Sequence, residues 1–92
     1  MTLTAEVRIR VASNVFGREF DGEMILVDLN RGDYYGLDTI GTRAWEGLSS
    51  GRTPREIAAT LIGEYAVEAS RIEADLVRLV QDLLDHGLVE RR

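Results

Sequence analysis

The chain holds one histidine, His86, and no cysteine, the side chains most often used as general base and as thiol nucleophile. A histidine base needs a nucleophile to deprotonate and a third group to orient it, and no spacing around His86 supplies either. Set just ahead of Gly87 at the end of an apolar helical run, His86 instead favours a helix C-terminus. Asp75, Asp82 and Asp85 follow at intervals of seven and three on the same run. Without a glycine-turn loop, that spacing fits a solvated helix face and neither a calcium loop nor a carboxylate–histidine site. The lack of cysteine excludes thiolate metal sites, a disulfide framework and a thiol nucleophile. Arg8 and Arg10 could meet a phosphate, but Glu6 and Glu19 nearly cancel them. No nucleophile, base and oxyanion donor can be assembled from this inventory, so no catalytic residue, metal or cofactor is expected and the function left is binding.

The elements that would build a binding surface are legible along the chain. Asp21-Gly22 is a hairpin-type dipeptide leading into Glu23 to Leu29, the best strand in the sequence. Asn30-Arg31-Gly32 tolerate positive φ, and Asp33-Tyr34-Tyr35-Gly36-Leu37 returns as a second, shorter strand. Upstream, Val7, Ile9 and Val11 alternate with Arg8 and Arg10, the period of a strand or an arm. Asp38 or Thr39 caps a helix carrying Ile40, Ala44, Trp45 and Leu48 that stops at Ser49-Ser50-Gly51. Trp45 falls on its inner face and is core. Thr53-Pro54-Arg55-Glu56 is a capping box with proline where its missing N–H costs nothing, opening a helix with Ile57, Ala58, Leu61, Ile62 and Tyr65 at helical spacing. A third helix starts either at a box Ser70-Arg71-Ile72-Glu73 or near Glu68. It ends at His86-Gly87, with Leu88 packing back.

Two features exceed what a minimal core requires. On the third helix, Ile72, Leu76, Val77, Leu79, Val80, Leu83 and Leu84 cover an arc of about 160°, wider than the roughly 100° of one packed face. Either the helix is central, or one flank lines a groove. In the second strand, Tyr34 and Tyr35 put an aromatic on each face, and Gly36 weakens a strand interior unless another backbone comes close or a bulge is needed. An edge without lysine or proline is either covered or used to recruit a peptide by strand addition. Residues 7 to 20 could cover that edge, or pair with the far side of the longer strand and leave residues 33 to 37 free.

Length and charge narrow the partners. Ninety-two residues make a single domain with one modest core. The net charge of −5 repels nucleic acid and anionic lipid and favours a cationic or neutral partner. A strand pair followed by helices invites comparison with DNA-binding winged helices. Residues 68 to 86, however, set Arg71 and Arg78 against Glu68, Glu73, Asp75, Asp82 and Asp85, a net −3 on the would-be recognition helix. The first residues lack the basic and apolar blocks of a signal peptide, and no apolar run approaches the roughly 18 residues of a membrane span, so a cytoplasmic location is expected.

The run from Ile25 to Leu37, then Gly41, Trp45, the segment Gly51 to Ile57, Tyr65, Asp75 and Gly87-Leu88-Val89, resembles the pyrroloquinoline-quinone biosynthesis protein D family. More narrowly it is similar to the stand-alone leader-recognition proteins of lasso-peptide biosynthesis. The resemblance covers about residues 16 to 90 and rests on combined spacing. It implies an α+β, winged-helix-like fold, a three-stranded antiparallel sheet followed by three helices. The implied function is binding the leader of a ribosomally made precursor peptide as an added strand, then delivering it to a separate cysteine-type leader protease and an ATP-dependent macrocyclase. Delivery to a radical maturase is the alternative use of the same module. Carried onto this sequence, the leader-binding residues are Leu29, Asp33, Tyr34, Tyr35 and Gly36 on the strand side and Ile72, Asp75, Leu76 and Leu79 on the helix.

Overall fold

A computed structural model describes residues 3 to 92. Its elements run β1 (Ile9–Val11), β2 (Val15–Phe20), β3 (Glu23–Asp28), β4 (Tyr34–Gly36), α1 (Thr39–Ser49), α2 (Pro54–Glu64), α3 (Ala69–Asp85) and β5 (Val89–Arg91). The architecture is α+β, with a three-stranded antiparallel sheet in the order β2-β3-β4 followed by three helices. None of these helices is long and apolar enough to cross a membrane.

The two hairpins form for local reasons. Asp21 and Gly22 both take positive φ, the geometry of a turn that matches the twist of its strands. The second turn is organised by Asp28, whose buried carboxylate accepts hydrogen bonds from Asn14 Nδ2 at 2.7 Å and from the N–H groups of Asn30 and Arg31 at 3.0 and 3.2 Å. One side chain thus fixes the entry to β4. At the exit, Leu37 N–H donates to Met24 C=O at 2.8 Å, and the buried Thr42 hydroxyl accepts from Met24 N–H at 2.7 Å. A hydroxyl from α1 therefore continues the ladder where the strand ends.

The helix boundaries follow their caps. Asp38, not Thr39, caps α1, accepting from Gly41 N–H at 2.7 Å. Thr53 and Glu56 form the full reciprocal box at α2. Of the two starts open for α3, the one near Glu68 holds and the Ser70 box is absent. The helix begins after Glu68 with no side-chain cap, and Glu73 turns instead toward Arg55 at 3.7 Å. Its other end is a complete Schellman closure, with Gly87 at φ +70, Gly87 N–H on Leu84 C=O and Leu88 N–H on Leu83 C=O.

The core joins one sheet face to all three helices. Ile9, Leu26, Leu48, Leu61, Val80 and Leu83 are fully enclosed, with Trp45 nearly so. Helices α1 and α2 pack closely at Gly47, where a Cβ would lie 2.7 Å from Ile57 Cγ1. Ile62, expected inside, is exposed.

The N-terminal segment divides in a way its pattern does not reveal. Leu3, Ala5, Val7 and Ile9 are buried in alternation, and β1 pairs with β5 in the register Ile9↔Arg91 and Val11↔Val89. The segment Gly87 to Val89 is thus a helix stop that runs straight into a strand. Residues 15 to 20 pair with the far side of β3 instead of covering residues 33 to 37.

Hydrogen bonding from Asn14, reinforced by the Arg31 and Asn30 amides against the opposing effect of burial, holds the Asp28 carboxyl below its ordinary range. Its stabilising contribution is complete above the unfolded-state carboxylate pKa and is lost as pH falls through the lowered folded value. Thermal melts should show Asp28→Asn less stable than the parent at neutral pH, with the gap closing in strong acid.

Candidate functional site

The pairing of β3 with β4 decides which backbone groups remain free. The register is Ile25↔Gly36, Leu26↔Tyr35 and Val27↔Tyr34, with Asp28 N–H donating to Asp33 C=O at 2.8 Å. Hydrogen bonding in an antiparallel pair alternates along the strand, so Asp33, Tyr35 and Leu37 bond inward to β3. The N–H and C=O groups of Tyr34 and Gly36 point to the outer edge, where no strand of the described residues meets them.

This edge forms one wall of a cleft of ≈ 650 Å³, open to solvent and lined mainly by apolar surface. Tyr35, Gly36 and Leu37 line the strand side, and α3 faces them with Ile72, Leu76 and Leu79. Spacings of four and three put those residues on one stripe of the helix. Ile72 and Leu76 are buried members of the core, while Leu79 is half-buried. At one end Ile40, Ala66 and Val67 close the cleft, with Asp38, Glu68, Arg71 and Asp75 as its polar rim. Asp75 lies 3.9 Å from Arg78, whereas Arg71 has no ion-pair partner among the described residues.

Tyr35 anchors the other end. Its ring meets His86 edge to face at 5.2 Å between centroids. Burial pushes the phenol above its ordinary pKa, with the Asp82 carboxylate adding to the shift, so it stays neutral at physiological pH. Among the described residues no three potential metal ligands gather.

The cleft brings together six of the nine residues expected to bind: Tyr35, Gly36, Ile72, Asp75, Leu76 and Leu79. Tyr34 belongs to the edge through its backbone, but its side chain is 79% exposed on the opposite face. Asp33 is paired with Arg31 at 3.4 Å beside the turn, and Leu29 is exposed just past β3, away from the cleft. The cleft also takes in Leu37, Ile40, Val67 and Arg71, which sequence reasoning does not place among the residues expected to bind. In the sequence Leu37 and Ile40 read only as strand and core-facing helix positions, while Val67 lies in a loop and Arg71 in the first turn of α3, outside any apolar period.

The model of the family described as coenzyme PQQ synthesis protein D (PqqD) matches residues 23 to 89, which includes both walls of the cleft. The chain belongs to the PqqD family. Among solved structures, it is similar to TbiB1 in complex with the TbiA(beta) leader peptide, at 33% identity over 88% of this chain and 94% of that one, with a TM-score of 0.82. It is also similar to a lasso peptide synthetase B1 complexed with the leader peptide, at 28% identity over 90% and 98% of the two chains, with a TM-score of 0.84. No curated protein sequence matches it.

One residue of this PqqD-family edge is not explained by the fold. Gly36 forms no bulge, has no positive φ, and a Cβ placed on it meets no heavy atom within 4 Å. Gly36→Ala should therefore keep the fold and raise its stability by about 0.4 to 1 kcal/mol in urea unfolding, by restricting the unfolded chain.

Proposed function

We propose that this chain binds the leader segment of a ribosomally made precursor peptide and carries no catalytic activity of its own. The leader adds as a strand to the outer edge of β4 and lays its side chains into the cleft against α3. The whole chain acts as one recognition domain, delivering the precursor to a separate leader protease of the cysteine type and then to an ATP-dependent macrocyclase, as in lasso-peptide maturation. The observation that carries this reading is the coincidence of the free Tyr34 and Gly36 backbone groups with a preformed apolar cleft. Two similar proteins solved with leader peptides support it.

Magnitudes decide which part of the site supplies the affinity. Two residues offer four edge groups, and at about 1 kcal/mol net each they contribute about 4 kcal/mol. Micromolar binding requires about 8 kcal/mol, before the cost of association is counted. Burial of leader side chains, each worth about 1.5 to 3 kcal/mol, must therefore supply at least as much as the backbone, which takes two or more anchors. Leu79 is the place to test this, because Ile72 and Leu76 also hold the core.

Fluorescence polarisation of a labelled cognate leader peptide tests the reading directly. Saturable binding at micromolar or better is expected, and no binding by the folded chain would overturn it. Leu79→Glu should weaken binding by about 2 kcal/mol or more, roughly thirty-fold. Tyr34→Pro removes an outward N–H that the sheet does not use and sets a ring against the added strand, so it should weaken binding more than Tyr34→Ala does. Equal effects of the two Tyr34 substitutions would argue against strand addition.

A further inference from the structure

Gly36 weakens its strand for no reason that the fold supplies, since neither a bulge nor a positive φ calls for glycine there. The register sets it in a row with Arg18 and Ile25 across the sheet. A Cβ on Gly17, the neighbour of Arg18, would meet Met24, Leu26 and the Trp45 indole nitrogen. Gly17 therefore marks the inner face, and the row of Arg18, Ile25 and Gly36 stands on the outer one. On that face the missing side chain leaves an open depression of ≈ 410 Å³, with Phe20, Ile25 and Gly36 along it and Glu23 and Asp38 at its margin. Phe20 is 56% exposed. Gly36 and Leu37 border both this depression and the leader cleft.

We propose that this depression is a second leader subsite, the seat of an aromatic side chain on the leader residue that pairs opposite Gly36. The inference rests on the leader-binding reading and deepens it by naming one residue class in the peptide. A strand added to β4 extends the row of Arg18, Ile25 and Gly36 by one position. Whichever way that strand runs, the residue beside Gly36 turns its side chain to the outer face. Strands lie about 4.8 Å apart, which puts this residue roughly 10 Å from Ile25 with only the glycine between. An aromatic ring laid across Gly36 spans the gap and packs on Ile25 and Phe20, whereas a short side chain leaves both uncovered. Aromatic cover from a neighbouring strand is how sheets compensate an edge glycine. Glu23 and Asp38 disfavour an acidic occupant. The leader residues on either side of the seated one turn inward to the cleft, so anchors on consecutive residues alternate between the two faces.

The test uses the full chain and a labelled cognate leader peptide, read by polarisation. Each aromatic residue of the leader is replaced in turn by alanine, and every peptide is titrated against the parent chain and Gly36→Phe. That substitution puts the chain's own ring in the seat. It should lower affinity for the unmodified leader at least about fivefold, while urea unfolding shows no loss of stability, as an aromatic residue suits a strand. Replacing one aromatic leader residue should weaken binding to the parent at least about fivefold and to Gly36→Phe less than about twofold, the coupling expected of groups in contact. If Gly36→Phe fails to fold by circular dichroism, Phe20→Ala, which removes a wall of the seat and leaves the edge untouched, decides by the same coupling. Unchanged affinity in the folded variant, or an equal loss for every peptide, would overturn the subsite while leaving strand addition intact. A cognate leader that binds and carries no aromatic residue would do the same. Failure of the unmodified chain to bind leader would overturn the underlying reading itself.

Discussion

The outer edge of β4 is the constraint on which the rest of the structure turns. Backbone N–H and C=O groups on a sheet edge need a partner or water, and a chain with several strands usually has one to spare for covering them. Here both candidates are committed elsewhere. β2 occupies the far side of β3, and β1 is drawn to β5 while the buried side chains before it join the helical core. Arg55 N–H on Ala5 C=O at 3.0 Å fastens that N-terminal segment to α2. The edge stays open because the topology uses every other strand, and the Asp28 turn and the Thr42 hydroxyl hold its two ends in place.

Helix α3 serves the core and the cleft at once, which accounts for its wide apolar arc. Val80 and Leu83 are wholly enclosed, Ile72 and Leu76 are buried while lining the cleft, and Leu79 remains half-exposed along it. The helix cannot shift to admit a ligand without disturbing the core, and its end is locked by the Schellman closure that starts β5. The cleft is thus preformed, which lowers the ordering cost of binding an extended peptide.

Much of this was legible in the sequence because it is local. The Asp21-Gly22 turn, the Thr53 box, the Gly87 stop and the apolar arc of α3 depend on residues within a few positions of one another. The β1–β5 pairing was not legible, because two three-residue strands nearly eighty residues apart carry too little periodicity to declare themselves. The choice between the two starts of α3 was likewise open in the sequence, since Glu73 meets a long-range partner in Arg55. In the site, period and composition singled out the edge and the helical arc but left open whether each was covered, and the family resemblance chose between the readings. Of the rim, only Asp75 was expected; Asp38, Glu68 and Arg71 meet it there only through the placement of α1 and the α2–α3 loop. Leu29 fits the strand pattern in sequence yet falls beyond the last paired residue, on the outer side of the turn.

A free edge in a chain with abundant apolar surface should invite self-association, and the structure shows how this edge limits it. β4 is only three residues long, so few bonds are available to any pairing partner. The exposed acids Asp33 and Asp38 flank it. Antiparallel pairing of Tyr34 with Gly36 of a second copy sets Asp33 opposite Leu37 and one position from Asp38, so like charges approach diagonally and oppose the pairing. A peptide strand without acids at those positions escapes that repulsion and also gains the cleft, which a second copy of β4 fills only with its own tyrosines. The edge thus discriminates by the difference between two weak pairings, one opposed by charge and the other reinforced by side-chain burial.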